Sequence, residues 1–357
     1  MGFEYISNAI HHRLYETFNP SMALFMEFIL VAISIITLFS LLGLVLILME
    51  RKVSAWMQVR LGPNRVGPKG IFQTAADTLK LVVKEGMTPD GADRFLFNLA
   101  PFIVMITAMM LMAPLMFAKG LQIWDINIGV LFFSAISSIS VIGILMAGWA
   151  SNNKYSLLGA MRSGAQIVSY ELSAGLSVLT VIVLTGSLRI SDIIASQNDG
   201  WWIFKGHIPV IIAFVTFIIA VTAETNRAPF DMAEAESELT AGFHTEYSGM
   251  KFALFFLAEY INIFIVCAVG ATLFLGGWMP LHIGHWQDFN HIMDFIPSSI
   301  WFFGKTFLLI FVIMWFRWTF PRLRIDQLLN LEWKYLLPIS MANLLLVTIV
   351  AIAKWHF

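Results

Sequence analysis

The sequence contains a single cysteine, Cys267, in a chain of 357 residues. One thiol cannot form an internal disulfide, and it cannot supply the set of thiolates that holds an iron–sulfur cluster. The chain also lacks a glycine-rich phosphate loop, a dinucleotide fingerprint, a Ser-His-Asp arrangement and a convincing set of metal ligands. We therefore expect no complete redox centre, nucleotide site or metal site in this chain alone.

Charged residues are scarce as well. They make up 13% of the sequence, whereas about 25% is usual for a soluble domain, and 58% of the residues are hydrophobic. The net charge of -1 gives no indication of a nucleic-acid partner. A composition this apolar excludes an ordinary soluble domain and predicts a protein that lies in a lipid bilayer.

Eight apolar runs are long enough to cross the hydrocarbon layer, which requires roughly 20 residues of helix. The runs cover residues 22–49, 97–118, 127–150, 164–186, 208–224, 251–277, 298–318 and 335–355. We expect an all-α polytopic membrane protein with eight transmembrane helices plus cytoplasmic amphipathic helices. Residues 1–20 should form an N-terminal surface segment, and residues 21–357 a single membrane domain.

The basic residues indicate the orientation of these helices. Lys and Arg concentrate in short loops on the cytoplasmic side of a membrane. Of the 22 basic residues, 16 lie in or beside the first, third, fifth and seventh connections. This distribution predicts that both termini face outward. It also places two long connections, residues 50–96 and 224–250, on the cytoplasmic side.

The first long connection begins ERKVSAWMQVRLGPNRVGPKGIFQTAADTLKLVVKEG. Its start mixes apolar and basic residues as an interfacial helix does, and two Gly-Pro pairs then break the helix. A second amphipathic helix should follow near Phe72, with Asp77 and Lys80 between its apolar positions. The alternative is a basic loop that touches anionic lipid headgroups.

The second long connection is acidic and includes ETNRAPFDMAEAESELTAGFHTE. Its acids are Glu224, Asp231, Glu234, Glu236, Glu238 and Glu246, against one base, Arg227. Glu224 and Arg227 stand three apart, close enough to pair on one helical face. Asp231, Glu234 and Glu238, spaced three and four apart, should share one face of a helix that begins after Pro229, whereas Glu236 would point elsewhere. Clustered carboxylates have raised pKa values and can exchange protons; the alternative is a solvated face or a docking surface for a basic partner.

Ionisable residues also occur inside the apolar runs. Glu171, Glu259 and Lys305 each lie within a predicted span or about one turn inside it. Such residues are costly in hydrocarbon, and a series of them through a helix bundle is what a proton relay requires. Tyr170 and Tyr260 stand beside the two acids and can complete hydrogen bonds to them. Satisfied pairs in the protein core are the alternative for each residue.

Three segments together closely resemble the H-subunit family of bacterial NADH-quinone oxidoreductases, the counterpart of mitochondrial complex I subunit 1. They are ERKVSAWMQVRLGPNRVGPKGIFQTAADTLKL, AETNRAPFDMAEAESELTAGFHTEY and LAEYINIF. The likeness extends from the first span to the eighth. It implies a membrane subunit of a proton-pumping quinone reductase in the bacterial cytoplasmic (inner) membrane. Quinone would be the substrate, and the NADH site, FMN and iron–sulfur clusters would belong to partner subunits.

The resemblance also implies roles for individual residues. Quinone would enter from the bilayer between the first span, the sixth span and the amphipathic helix. The quinone chamber would include Arg51, Arg60, Asp77, Lys80, Glu224, Arg227 and Asp231. Proton coupling would involve Glu171, Glu234, Glu236, Glu238, Glu246 and Glu259. The partners would be the other membrane-arm and peripheral-arm subunits, membrane lipid and quinone.

Two other functions remain open. A membrane subunit of an energy-converting hydrogenase also carries acidic residues, but the complete GPNRVGP turn and the PFDMAEAESELTAG segment favour the quinone enzyme. A stand-alone ion transporter would use the same buried charges without redox partners. The two halves of the chain do not look like repeats, which weakens the case for a transporter built on internal symmetry.

Overall fold

The computed structural model describes residues 2–232, 240–282 and 286–353. Within these ranges, eight helical units are long and apolar enough to cross a membrane. They are α2 (Pro20–Met57), α4 (Arg94–Leu111), α5 (Gly129–Ala150), α6 (Lys154–Thr185), α9 (His207–Glu224), α10 (Gly249–Phe274), α12 (Ser298–Thr319) and a final unit (Ile325–Ile352). The protein is an all-α polytopic membrane protein, as predicted.

The remaining elements are short. They are α1 (Gly2–Thr17), α3 (Gln73–Val83), α7 (Ile190–Ala195), α8 (Trp202–Lys205) and α11 (Gln287–Asp294). The final unit consists of α13 (Ile325–Leu331), a π-helical turn (Glu332–Leu336) and α14 (Leu337–Ile352). Strands β1 (Met116–Ala118) and β2 (Leu121–Gln122) form an antiparallel hairpin, in which Met116 lies opposite Gln122 and Ala118 opposite Leu121.

The predicted ends of the first and second spans were wrong. The sequence predicted a separate interfacial helix after residue 49, but α2 continues unbroken to Met57. Its charged residues Glu50 and Arg51 bind other parts of the chain, so they need not reach the membrane surface. The second span ends at Leu111 because residues 116–122 form the hairpin. The amphipathic helix predicted from Phe72 is confirmed as α3.

The two sets of connections lie at opposite ends of the helices. At one end, the Met87 amide donates to Ser248 Oγ at 3.2 Å, which joins the first and fifth connections. At the other end, the Lys119 amide donates to Ser298 Oγ at 3.3 Å. The helices therefore alternate in direction, and the basic and acidic connections meet at the same end. We call this the charged end.

Helix α10 runs through the middle of the protein. Every residue from Ile263 to Phe274 is buried, and the helix packs against α2, α4, α9 and α12. Because neighbours surround this half of the helix, its position is fixed on all sides. Glu259 and Asn262 lie on the other half of α10, toward the charged end. The packing of α10 therefore sets where these two side chains point.

Candidate functional site

Four charged side chains meet at the charged end of the bundle. Arg227 Nη1 donates to Glu50 Oε1 at 3.3 Å, and Arg227 Nη2 lies 3.2 Å from Glu259 Oε1. Arg317, near the end of α12, donates a second hydrogen bond to Glu50. Glu50 and Arg227 are 6% and 5% exposed, so the pairing replaces the water that these charges lose on burial. We call Glu50, Arg227, Glu259 and Arg317 the buried charge cluster.

The turn after α9 directs Arg227 into this cluster. The helix ends at Glu224, and Asn226 has a φ of +50°, a left-handed conformation that asparagine tolerates better than most residues. The Arg227 guanidinium lies over the ring of Tyr260, 4.5 Å from its centre. The predicted pair of Glu224 and Arg227 is therefore not formed, because the helix that would place them on one face ends between them.

Asp231 has its own cation. It is 7% exposed, and Arg322 Nη2 donates to its Oδ2 at 2.9 Å. Gln166 of α6 supports the segment leading to it by donating to Ala223 O at 2.7 Å and to Phe230 O at 2.6 Å. The turn that carries Arg227 and Asp231 is thus bound to α6 as well as to the cluster.

Glu224 and Glu171 lie beside two adjacent cavities that share lining residues. The smaller, of about 50 Å³, is lined by Glu224, Glu259 and Asn262, and the larger, of about 290 Å³, by Glu224 and Glu171. Ser137 lines both cavities and donates to Glu171 at 3.4 Å. Among the described residues, Asn262 Oδ1 is buried without a hydrogen-bond partner. The smaller cavity has room and polar groups for a few water molecules.

Arg51 and Asp77 join α2 to α3 by a charged hydrogen bond. Partial burial opposes ionisation of Asp77, but the hydrogen bond and charge of Arg51, with help from Gln73 and Lys80, hold the pKa of Asp77 below its ordinary value. These residues border a groove of about 360 Å³ between α2, α3 and α10, whose walls are otherwise mostly apolar. We call it the α2–α3–α10 groove.

A second, open groove adjoins the first at Arg51 and has a volume of about 430 Å³. Glu50, Arg60 and Arg317 line it, so it borders the buried charge cluster. Arg60 is exposed, and its Nε donates to Gln58 Oε1 at 2.6 Å. We call this the polar groove.

The structure brings most of the predicted site residues to the charged end. Eight of them line a groove or a cavity or belong to the buried charge cluster: Arg51, Arg60, Asp77, Lys80, Glu171, Glu224, Arg227 and Glu259. Asp231 follows Arg227 by four residues and pairs with Arg322. Glu246 lies in a separate groove, where it accepts a hydrogen bond from Asn153 Nδ2 at 2.5 Å. Glu234, Glu236 and Glu238 lie outside the described residues.

Sequence reasoning missed Glu50, Arg317 and Arg322 as site residues. The first connection was interpreted from its basic content, so the acid at its first position was passed over. One signal was available: an Arg buried beside a membrane span needs an acid nearby, and Glu50 stands at the end of a span. Arg317 lies in the last turn of α12 and Arg322 in the loop that follows, and the acid nearest to either in the sequence is Asp326.

His244 is a titratable group in the acidic connection. It is partly buried against Phe252, with ring centres 5.3 Å apart, and burial lowers the pKa of His244 to about 4. The unfolded segment would take up a proton near pH 6.5, before the folded one does. The stabilisation is therefore complete above pH 6.5 and is lost as the pH falls towards 4.

We expect His244→Phe to remove this acid sensitivity. In the wild-type protein, corrected amide exchange of residues 240–248 should accelerate between pH 6.5 and 4, with a loss of at most about 3 kcal/mol for a shift of this size. The variant keeps the aromatic contact but cannot take up the proton, so its corrected exchange should stay constant. Equal acceleration in both proteins would assign the effect to another group.

Comparison with known proteins shows the family of this chain. Residues 29–348 match the family model described as NADH dehydrogenase. A relative from Bacteroides thetaiotaomicron, named as the H subunit of NADH-quinone oxidoreductase, is 58% identical over 355 residues, which are 99% of each chain. Relatives of the same name from Brevibacillus brevis and Carboxydothermus hydrogenoformans are 46% identical over 333 residues (93% of this chain, 95% of the relative) and 49% over 316 (88% and 87%). The chain belongs to the family of NADH-quinone oxidoreductase H subunits.

Proposed function

We propose that this chain forms the quinone access route and the lower quinone chamber of an NADH-quinone oxidoreductase, and couples quinone reduction to proton translocation. One observation carries the proposal: the mostly apolar groove between the spans α2 and α10 and the amphipathic helix α3 reaches Arg51, where the polar groove beside the buried charge cluster begins. A quinone has a long apolar tail and a polar headgroup. The apolar groove matches the tail, and the polar groove matches the headgroup.

The α2–α3–α10 groove is suited to the tail. Leu44, Ile47, Leu254 and Leu257 contribute to its walls, and Arg51 and Asp77 stand at its polar end. Arg60 and Arg317 line the next groove and can donate hydrogen bonds to the oxygens of a headgroup. Lys80 and Asp231 place further charge beside this route. The quinone would thus be oriented with its headgroup toward the charged end.

Electron transfer requires partner subunits. The single cysteine, Cys267, is buried within α10 and cannot supply the set of thiolates of an iron–sulfur cluster, so the clusters would be held by other chains of the complex, together with FMN and the NADH site. Those groups would supply the electrons. This chain would hold the quinone, surround it with charge and respond when the headgroup becomes negative. The proposal places it in the bacterial inner membrane, with both termini outward and the charged end in the cytoplasm.

The buried charge cluster supplies the coupling step. Within the described part of the chain, the two acids of the cluster are paired with two arginines, so a new negative charge in the polar groove would compete with Glu50 for Arg317. Glu50 would then draw more strongly on Arg227, and Glu259 would lose part of its cation. A carboxylate that loses its cation in a buried site binds a proton more tightly. Reduction of the quinone would thereby drive proton uptake at Glu259.

From Glu259 the two cavities offer a lateral route. Water in the smaller cavity would connect Glu259 with Glu224, and Ser137 lies between that cavity and Glu171. Glu171 would pass the change on to neighbouring membrane-arm subunits. Glu234, Glu236, Glu238 and Glu246 complete the proposal as proton-exchanging residues of the acidic connection.

We expect Ala253→Phe to obstruct quinone access. Ala253 lines the α2–α3–α10 groove, and a phenyl ring there would occupy space needed by the tail. The kcat/KM for a long-tailed quinone should fall about tenfold or more, equivalent to roughly 1.4 kcal/mol. NADH oxidation should be unchanged when it is measured with an artificial acceptor that draws electrons from the partner subunits, upstream of the quinone site. Ala135→Phe is the control, since Ala135 is exposed on α5 and does not line the groove. Unchanged long-tailed quinone reduction would contradict the access route.

The function itself is tested by isolating the complex through a tag on this chain in mild detergent. We expect a large flavin and iron–sulfur assembly that reduces quinone with NADH. Activity with hydrogen instead would assign the chain to an energy-converting hydrogenase. Ion transport by the chain isolated without redox partners would support the stand-alone transporter.

A further inference from the structure

The larger of the two cavities has features that proton transfer does not need. It lies between α5, α6, α9 and α10, and most of its lining consists of aliphatic side chains and phenylalanines. Its polar groups include Glu171, Glu224 and Ser134. None of the described residues that line it is Lys, Arg or His. The cavity therefore combines apolar walls with two acids, without a cation among those lining residues.

The cavity borders the outer face of α5 and α6. Leu131 and Leu179 line it and are 54% and 43% exposed. Gly175 also lines it, and a Cβ atom built on that residue would meet no other atom within 4 Å. In the chain taken alone, the cavity can therefore be reached between these two helices, and the α6 backbone leaves room for a ligand.

The acids decide what kind of molecule would be selected. Lipid tails are as apolar as the cavity walls, so an apolar chain alone gains little by leaving the bilayer. A carboxylate in such surroundings is stabilised strongly by a cation at hydrogen-bond distance. Within the described part of the chain, the hydrogen-bond donors to Glu171 are the serine hydroxyls of Ser137 and Ser138. A cationic headgroup would supply the charge that these neighbours lack.

We propose that this cavity binds an amphiphile with one aliphatic chain and a protonated amine, the ammonium pairing with Glu171 and the chain lying among α5, α6, α9 and α10. Binding follows from the cavity alone. Its effect on turnover rests on the proposed function, since an ammonium paired with Glu171 would occupy the carboxyl that the coupling route uses. Dodecylamine should therefore inhibit coupled quinone reduction, whereas dodecanol should not.

The test is equilibrium binding of radiolabelled dodecylamine to the whole complex in lipid nanodiscs, at concentrations that leave the bilayer intact. Gly175→Leu fills the cavity, and we expect it to weaken displaceable binding about tenfold or more. Gly304→Leu is the matched control, because a Cβ at this exposed glycine of α12 also meets no atom within 4 Å, yet the residue does not line the cavity. Its binding should equal that of the wild type.

A second variant guards against misfolding of the first. Glu171→Gln keeps the shape of the side chain and removes its charge, so it should also weaken dodecylamine binding about tenfold. Binding that both variants leave unchanged, competition by dodecanol as strong as by dodecylamine, or no displaceable binding in the complex would each overturn the site. Quinone reduction measured without amine in the same preparation is separate: its absence in the wild type would remove the proposed function and leave the binding result standing.

Discussion

Replacing Arg227 by leucine should reduce both assembly and activity more than any other single change at the charged end. The substitution leaves Glu50 and Glu259 in place, so the buried charge cluster changes from two acids and two bases to two acids and one base. Removing one partner of a buried ion pair costs about 3 to 5 kcal/mol. We expect the amount of assembled complex to fall to about a tenth or less, with quinone reduction reduced further in what remains.

Three further variants separate the charge effect from general damage. Arg227→Lys keeps one charge but cannot reach both acids with a planar guanidinium, so partial activity should return. Adding Glu259→Gln to Arg227→Leu removes the charge of the acid that lost its arginine and should recover part of the assembly. Arg189→Leu breaks the exposed pair with Asp125, which should change assembly little because water already solvates both charges. If Arg227→Leu matched Arg189→Leu in assembly and turnover, the cluster would have no special role.

Lys305→Met should loosen the opposite end of α10. Lys305 is 6% exposed, and its Nζ donates to Leu275 O at 2.6 Å, Gly277 O at 3.0 Å and Met279 O at 2.6 Å. The ammonium also lies 4.2 Å from the centre of a Trp201 ring. Its loss leaves buried carbonyls without a donor, at about 1 to 3 kcal/mol for each. We expect amide exchange of residues 275–282 to accelerate about 100-fold, equivalent to roughly 3 kcal/mol.

Lys205→Met provides the comparison for this result. Lys205 is at the same end of the bundle and lies 5.5 Å from the centre of a Trp202 ring, but it is only partly buried and its acidic partner Asp199 is exposed. Its removal should change exchange by a small factor, about 0.5 kcal/mol. Similar acceleration in both variants would mean that the carbonyl contacts of Lys305 do not hold this turn. The sequence grouped Lys305 with candidate relay residues, whereas its three bonds to carbonyls give it a structural role.

The cluster explains how one site can be both stable and responsive. Glu50 accepts hydrogen bonds from Arg227 and Arg317, and Arg227 reaches Glu259 as well. A charge added near Arg317 would therefore act on Glu259 through two shared partners. In a low-dielectric interior such coupling is much stronger than in water. In the proposed function this coupling depends on all four residues, so neutralising any one of them should weaken it.

Hydrophobic runs predicted the eight membrane helices because a span requires apolar side chains on most of its length, whatever its neighbours are. The predicted ends were less accurate. Charged residues end a span when they must reach water. Glu50 and Arg51 instead lie within α2, because each forms an ion pair with a residue elsewhere in the chain. The acid-rich connection and the intramembrane acids Glu171 and Glu259 were also evident from the sequence, since charge is rare and costly in such surroundings.

The sequence by itself determined that the chain is a polytopic membrane protein, which residues carry charge near or within the membrane, and the family resemblance that the comparisons confirmed. Only the tertiary structure decided which charges meet. Glu50 and Arg317 are 267 residues apart in the chain, and Arg227 turned from its predicted neighbour Glu224 to Glu50 and Glu259. Local spacing governs pairing only along one continuous helix. Once α9 ends at Glu224, packing of separate helices around α10 fixes the partners.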